Sequence, residues 1–204
     1  MRRIDPAEAA PAEVYKLMIG AIVPRPIAFV STVDAAGHRN LAPFSYFTGC
    51  STNPPVVCFC AAVREGPRPE KDTLENILAT GEFVVNAVSE EIAERMNACS
   101  AEVAPEVDEF ALSGLTPIES ELVKPPRVAE SKIQMECRLR QVVRVSDKPG
   151  GGNLVLGDVL RFHVQESVLL GDYKIDPDAL RAIGRMGGPT YVRTRDRIEM
   201  QRPK

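Results

Sequence analysis

Short apolar runs in the first third of the chain predict antiparallel strands. Ile27–Val33 is apolar apart from two hydroxyl residues, and Asp34–Gly37 after it has the composition of a hairpin turn. Arg39–Phe47 can return antiparallel to the first run. Val56–Val63 is a continuous apolar run, as expected for a buried strand. These segments therefore predict the first strands of one antiparallel sheet.

Helical spacing replaces the strand pattern in the middle of the chain. Asp72 can cap a helix that ends at Gly81, and Glu75 lies three residues after that cap, as in a capping box. The apolar stripe of this helix is formed by Leu74, Ile77 and Leu78. A strand is predicted over Glu82–Val88, after which Ser89 can cap a second helix.

Two long strands follow, separated by a glycine-rich loop. Odd-numbered residues from Ile133 to Val145 are largely apolar and most even-numbered ones are polar, which predicts a strand with one face in water. Asp147–Asn153 contains three consecutive glycines and is predicted to be a mobile hairpin loop. Leu154–Val164 carries its large apolar residues on one face. Pro177–Ile183 is predicted to be a short helix that ends at Gly184.

The order of these elements predicts the fold class. Strands and helices do not alternate regularly, which argues against a doubly wound parallel sheet. We predict a mainly β chain that forms a closed or split antiparallel barrel with peripheral helices. A length of 204 residues with 44% hydrophobic content suits a single domain over residues 1–204.

Charge, hydropathy and cysteine usage exclude several classes of protein. The net charge of −3 gives no sign of nucleic-acid binding, and no apolar run reaches the roughly 20 residues of a membrane span. The start of the chain has no apolar signal segment, and an odd number of cysteines, 5, suits a reducing compartment. We therefore expect a cytoplasmic protein. With only His38 and His163 and no CxxC motif, the sequence argues against a metal site.

A candidate anion site lies at the predicted start of the first helix. The first backbone N–H groups of a helix lack internal partners, and Lys71 and Thr73 flank this start with a positive charge and a hydroxyl. Further hydroxyls follow or end apolar runs and could converge on the same anion: Ser31, Thr32, Ser51 and Thr52. The alternative is an ordinary capped helix with a surface lysine.

Asn40–Phe47 could supply the polar contacts for a ring. Pro43 cannot donate to a strand ladder, so a strand here lies at a sheet edge or contains a bulge. Backbone groups near Ser45, Tyr46 and Phe47 are then free to bond a heterocycle; alternatively, the aromatic residues only fill the core. Together with the anion site, this segment favours a flat, phosphorylated ligand with a polar edge, which points to a flavin.

Two other positions have open interpretations. Arg185 and Tyr191 flank a glycine turn that could close over a bound ring, or that could simply be a terminal loop. His163 lies off the apolar face of its strand and is interpreted as a packed or interface histidine, with a contact on the nicotinamide side as the alternative. The chain has no dinucleotide fingerprint, no Walker loop and no nucleophile elbow, so we expect no catalytic nucleophile.

A series of motifs in a fixed order supports a family resemblance. They are Val23–Thr32, Asn40–Phe47, Ser51–Pro55, Lys71–Thr73, Glu82–Asn86, Gly114–Thr116, Glu136–Leu139 and Arg185–Gly188. Over roughly Tyr15 to Tyr191, the chain resembles the flavin reductase-like family of FMN-binding split barrels, and the flavoredoxin branch especially. The resemblance implies a homodimeric split barrel with FMN near the subunit interface.

The resemblance also implies roles for individual residues. The ribityl chain and phosphate of FMN would contact Ser31, Thr32, Cys50, Ser51 and Thr52. The phosphate would bind Lys71 and Thr73, assisted by Arg25. The ring would meet backbone groups of Ser45, Tyr46 and Phe47. Arg185 would lie on the substrate side.

The resemblance implies an FMN oxidoreductase. NAD(P)H would pass hydride to the flavin, and electrons would continue to free flavin, ferric iron, a partner monooxygenase or a small organic substrate. Such chemistry needs no protein nucleophile. One alternative is an FMN electron carrier or redox sensor without NAD(P)H activity, and another is a barrel-type binding module without flavin. The motifs distinguish neither NADH from NADPH nor a retained FMN from a released one.

Overall fold

A computed structural model describes residues 1–203 of the chain. The strands are β1 (Ala28–Val33), β2 (Arg39–Phe44), β3 (Phe47–Thr52), β4 (Pro55–Ala62), β5 (Glu82–Asn86), β6 (Pro117–Ile118), β7 (Arg127–Val128), β8 (Ile133–Arg144), β9 (Gly152–Val164), β10 (Ile183–Arg185) and β11 (Tyr191–Arg193). The α-helices are α1 (Pro11–Ala21), α2 (Asp72–Thr80), α3 (Ala93–Ala98), α4 (Glu109–Ser113) and α5 (Pro177–Leu180), and short 3₁₀ turns occupy Glu90–Ile92 and Glu166–Val168.

Seven strands form one antiparallel sheet in the order β2-β1-β5-β8-β9-β4-β3. β2 is an edge strand, as the proline in it requires, because Pro43 cannot donate a ladder hydrogen bond. β2 also approaches β4, so the sheet curls round on itself. β6–β7 and β10–β11 form two small separate sheets. The prediction of a mainly β, antiparallel chain with peripheral helices is confirmed.

Aromatic residues fill the interior of the curled sheet. The rings of Phe59 and Phe83 meet edge to face with their centroids 5.7 Å apart. Gly157 of β9 faces this pair so closely that a Cβ at its position would lie 2.2 Å from the Phe83 ring. Leu74 and Ile77 of α2 pack into the same core. The apolar face of α2 is thereby fixed to the barrel, and its N-terminus lies beside β2.

Bulges change which residues of β8 face the core. The pairing of β8 with β9 shifts between Glu136 and Cys137, and again between Leu139 and Gln141. Beyond the second shift Val142 packs against the core, while Val143 is exposed. The predicted alternation of odd-numbered apolar residues is therefore wrong for this end of β8, because a bulge adds one residue to the strand and reverses its faces.

The large apolar residues of β9 do not form the core. Val155 and Val159 face inward and are buried, whereas Leu154 and Leu156 are only half-buried on the opposite face. Phe162 is more exposed still. The apolar face predicted for this strand therefore lies on the outside of the barrel.

Element boundaries differ from the prediction at several places. β2 stops at Phe44, and the chain bends over the next two residues before β3 begins. α5 ends at Leu180 because Arg181 adopts the left-handed conformation with φ of 52°, so Gly184 lies in β10 instead of closing the helix. α1 was not predicted, although Pro11 at its first position is a recognised start signal.

Candidate functional site

Lys71 is the N-cap residue of α2. The predicted cap, Asp72, is instead the first helical residue, where its carboxylate faces the guanidinium groups of Arg64 and Arg68. A lysine side chain has no acceptor atom and cannot bond the free N–H groups of the first turn. Those N–H groups and the ammonium group of Lys71 therefore favour an anion at this end of the helix.

A cavity of about 100 Å³ lies against this helix end. It is lined by Asn40, Ala42, Pro43, Phe44, Arg64, Lys71, Asp72, Thr73, Cys99, Ser100, Ala101, Glu102, Val103 and Glu109. Sites for whole small ligands usually measure about 300–1,000 Å³, so this cavity suits an end group such as a phosphate. In the structure the Lys71 ammonium lies 3.4 Å from the exposed carboxylate of Glu102 at the rim.

A buried polar network forms the floor of this cavity. The Thr73 hydroxyl donates to the Asn40 Oδ1 atom at 2.7 Å, and Asn40 Nδ2 donates to Glu109 Oε1 at 2.9 Å. The second Glu109 oxygen accepts from the Leu41 N–H at 3.0 Å. Thr32 joins the network through Asn40, at 3.4 Å. Thr73 and Thr32 therefore support the cavity from inside, with their hydroxyls already hydrogen-bonded.

Burial raises the pKa of Glu109, although hydrogen bonds from Leu41 and Asn40 oppose the shift. The stability linked to this carboxyl is fully present below its ordinary pKa of 4.5 and is lost as the pH rises through the raised value. We therefore expect the wild-type protein to lose stability relative to Glu109→Gln as the pH rises above about 4.5. Urea unfolding of both proteins between pH 4 and pH 8 measures this difference, and a constant difference would contradict the shift.

Ser31 lies away from this cavity. Its hydroxyl donates to the backbone carbonyl of Pro126 at 2.5 Å, and the side chain is fully buried. Ser31 and Thr32 alternate along β1, so their side chains point to opposite faces of the sheet. The structure does not bring these two hydroxyls together, and only Thr32 connects to the network under the cavity.

Arg25 organises the chain just beyond the cavity. Arg25 is 4% exposed, and its guanidinium donates to the carbonyl oxygens of Ile19 at 2.7 Å and Met186 at 3.0 Å. It also donates to the Ser45 hydroxyl at 3.3 Å and lies 5.9 Å from the centre of the Tyr46 ring. The acceptors of these bonds are neutral, so the positive charge of Arg25 is solvated by dipoles inside the protein.

The end of the chain returns to the same place. Arg25 and Arg185 form an antiparallel backbone bridge, with N···O distances of 2.9 and 2.8 Å. The Arg185 guanidinium lies over the Tyr191 ring, 4.4 Å from its centre. The structure therefore groups Arg25, Arg185 and the bend at Ser45–Tyr46, which the sequence placed in three separate motifs.

β3 continues from this bend as the exposed edge of the sheet. Phe47 is half-buried, and the predicted contact residues Cys50, Ser51 and Thr52 are exposed. The pairing with β4 shifts at Cys50. Burial, with a hydrogen bond that the Cys58 thiol donates to Cys50, raises the pKa of Cys58 to about 12. The Cys58 thiol is therefore protonated at neutral pH and is a poor nucleophile.

His163 is packed against a buried carboxylate. Its Nε2 atom lies 2.5 Å from Glu136 Oε1, and Glu136 is fully buried. Glu136 also accepts backbone N–H bonds from Glu121 at 2.9 Å, Leu122 at 2.6 Å and Val123 at 3.2 Å. Burial alone would raise the pKa of Glu136, but these hydrogen bonds and the one from His163 outweigh it and lower the pKa. His163 therefore contacts the carboxylate that anchors the loop at Glu121–Val123.

Several residues around the cavity were not predicted from the sequence. Arg64 and Glu109 line it, and neither was predicted as a contact residue. Asn40 lay inside a predicted segment, but nothing in the sequence showed that it bonds Glu109 across 69 positions of chain. Within residues 1–203, no group of three or more His, Cys, Asp or Glu side chains is arranged to hold a metal ion. None of the helices described is long and apolar enough to cross a membrane.

Comparison with known proteins places this architecture in a family. Residues 19–178 match the flavin reductase-like domain. A crystal structure of nitrilotriacetate monooxygenase component B from Bacillus cereus is 36% identical, covers 98% of each chain and superposes with a TM-score of 0.92. The 2-nitrobenzoate 2-nitroreductase of Pseudomonas fluorescens is 30% identical, with 99% of this chain and 96% of that chain covered and a TM-score of 0.87.

A more distant structure supports the fold alone. It is described as a flavin reductase with a split-barrel domain from Shewanella frigidimarina, is 21% identical, covers all of both chains and has a TM-score of 0.84. The curled antiparallel sheet is thus a split barrel, as the sequence predicted. The match over residues 19–178 implies a flavin cofactor and oxidoreductase chemistry. On these grounds the chain belongs to the flavin reductase-like family.

Proposed function

We propose that residues 1–204 form one cytoplasmic domain that binds FMN and transfers hydride from NAD(P)H to it, with electrons passing on to an acceptor. The observation that carries the FMN assignment is the small cavity at the start of α2, where Lys71 and Arg64 lie beside free helix N–H groups and already hold two carboxylates, those of Glu102 and Asp72. The bound flavin would supply the redox chemistry, and the protein would bind and orient it.

The residues present fit a phosphate ester with a ring attached. The cavity accepts an end group, and its wall continues through Ala42–Phe44 into the bend at Ser45–Tyr46. A ligand whose phosphate lay beside Lys71 would thus extend along the end of β2 toward Arg25 and the backbone groups of Ser45, Tyr46 and Phe47. Cys50, Ser51 and Thr52 are exposed on β3 and do not line the cavity, and Arg185 would lie on the substrate side.

A protein partner is part of the proposal. The half-buried apolar face of β9, with Leu154 and Leu156, supports a homodimer, because such a face is normally covered. The similarity to a monooxygenase component B supports a monooxygenase as the electron acceptor. The similarity to a nitroreductase favours a small organic acceptor as the alternative.

Lys71 and Glu102 should affect FMN binding in opposite directions. We expect Lys71→Ala to weaken FMN binding by about tenfold, because it removes a charged donor from the phosphate. Glu102→Gln should tighten binding, by less than this, because it frees Lys71 from an exposed ion pair. Flavin fluorescence titration measures both dissociation constants. The turnover of FMN-saturated Lys71→Ala should change less than its affinity, and an unchanged affinity would remove Lys71 from the phosphate site.

The visible spectrum of the purified protein tests the proposed activity. NADH and NADPH are added separately in the absence of oxygen. Bleaching of a yellow protein by either nucleotide supports the reductase, and that nucleotide is the donor. A yellow protein that neither nucleotide bleaches is an electron carrier or redox sensor. A colourless protein that also fails to bind added FMN would refute flavin binding.

A further inference from the structure

The glycine-rich loop between β8 and β9 docks onto the segment that leads into α2. The Val63 N–H donates to the Gly151 carbonyl at 2.8 Å, and the Gly150 N–H donates to the Val63 carbonyl at 3.0 Å. A Cβ at Gly151 would lie 2.6 Å from the Ser146 carbonyl oxygen, so the loop can take this shape only with glycine there. The contact joins a loop without an assigned role to the segment that carries Arg64.

Glu70 is the side chain that fixes this segment to the barrel. One carboxylate oxygen lies 2.5 Å from the Arg144 guanidinium, and the other accepts from Asn153 Nδ2 at 3.1 Å. Arg144 belongs to β8 and Asn153 to β9, and Asn153 is only 1% exposed. A carboxylate held by two groups on paired strands has little freedom to move.

Glu70 is also next to the proposed phosphate site in the chain. Lys71 follows it directly, and its backbone carbonyl accepts a hydrogen bond from the Arg64 guanidinium. Arg64 Nε donates in addition to the Arg68 carbonyl at 3.1 Å. The positions of both cations at the cavity therefore depend on where Glu70 holds the backbone.

We propose that Glu70, clamped by Arg144 and Asn153, is a positioning residue that sets Arg64 and Lys71 for the phosphate of the bound cofactor. This inference rests on the proposed FMN function. Glu70 itself does not touch the ligand, because its carboxylate is turned toward the barrel strands. The glycine loop contributes by holding the same segment from its other end.

The direction in which Glu70→Gln changes FMN affinity distinguishes a positioning role from a direct electrostatic effect. Glu70→Gln removes a negative charge close to an anion site, so a pure charge effect would tighten FMN binding. Loss of positioning would weaken it instead, because Arg64 and Lys71 would no longer be held in place. Riboflavin has the same ring and ribityl chain without the phosphate, so its affinity should not respond to the phosphate site at all.

The test compares FMN and riboflavin dissociation constants by fluorescence titration for the wild type, Glu70→Gln and Arg144→Met. We expect both variants to bind FMN about tenfold more weakly, with riboflavin affinity unchanged. Arg140→Met is the matched control, because Arg140 lies on the same strand and is exposed like Arg144 but pairs with Asp158 and not with Glu70, and it should leave both affinities unchanged.

Other results would contradict the positioning role of Glu70 or the proposed function. Tighter or unchanged FMN binding by Glu70→Gln would overturn the positioning role, and so would an equal loss of FMN and riboflavin affinity, which marks general damage to the fold. If Arg140→Met weakened FMN binding as much as Arg144→Met does, the positioning role would also be overturned. The loss would then come from removing any nearby positive charge. If the wild type binds neither flavin, the proposed function itself fails, before any variant is compared.

Discussion

Glu136→Ala is expected to lower the free energy of unfolding by about 3–5 kcal/mol. Glu136 is fully buried and accepts hydrogen bonds from His163 and from the three backbone N–H groups of Glu121, Leu122 and Val123. Alanine would leave those donors without an acceptor, and each buried unpaired group costs about 1–3 kcal/mol. Urea unfolding at pH 7 measures the loss.

Glu119→Ala is the control, because Glu119 lies in the loop that Glu136 holds. It tests whether the loss of any carboxylate in this region lowers stability. Glu119 is exposed, and it contributes its backbone carbonyl to the hydrogen bonds of Arg127, so Glu119→Ala should change stability by no more than about 0.5 kcal/mol. The pKa of Glu136 is lowered in the folded protein, so its stabilisation is present above the ordinary value of 4.5 and is lost as the pH falls through the lowered value. A Glu136→Ala protein as stable as the control would show that water replaces the carboxylate.

Arg25→Met is expected to cost about 3 kcal/mol of stability and to weaken flavin binding. The substitution removes the donors that join the end of α1, the Ser45 hydroxyl and the Met186 carbonyl. Those acceptors lie in or at the edge of the core and would lose charge-assisted hydrogen bonds. The bend at Ser45–Tyr46 would then be held less firmly, and its backbone groups would form weaker hydrogen bonds with the proposed flavin ring.

Arg25→Lys tests whether geometry or charge is responsible. Lysine keeps the charge but lacks the planar fork, so it cannot reach acceptors on three separate segments, and we expect it to restore only part of the stability. Arg39→Met is the control, because Arg39 is exposed and lies 3.5 Å from Asp108, and it should cost less than about 1 kcal/mol. Unfolding curves and FMN titrations of the three variants suffice. Full recovery by lysine would show that charge alone matters.

The sequence predicted the architecture better than the faces of its strands. Apolar runs of limited length and the absence of regular strand–helix alternation gave the antiparallel sheet, because these signals are local. The faces of β8 and β9 depended on bulges such as the one between Leu139 and Gln141, which insert a residue without any composition signal. Glu136 and Gln134, predicted on the wet face, are buried because another part of the chain covers them.

The candidate site shows the same division. Lys71 and Thr73 were predicted as site residues from the start of a helix, which is a local pattern. The burial of Thr73 and Thr32 was not predictable, because it follows from their contacts with Asn40 in β2. Arg25 was placed near the phosphate through the family resemblance, whereas its contacts in the structure are with α1, Ser45 and Met186. Long-range partners decide these roles, and a single sequence does not display them.

The lysine at the N-cap of α2 has a consequence for engineering. Asp, Asn, Ser or Thr at such a position typically adds about 0.5–2 kcal/mol relative to a residue that cannot cap, because a side-chain oxygen accepts from the first turn. That oxygen would occupy the place of an incoming anion. Optimisation of this chain for heat resistance alone would therefore replace Lys71 and remove the proposed phosphate donor, a conflict between stability and the proposed function. A consensus or capping redesign should leave this one residue unchanged.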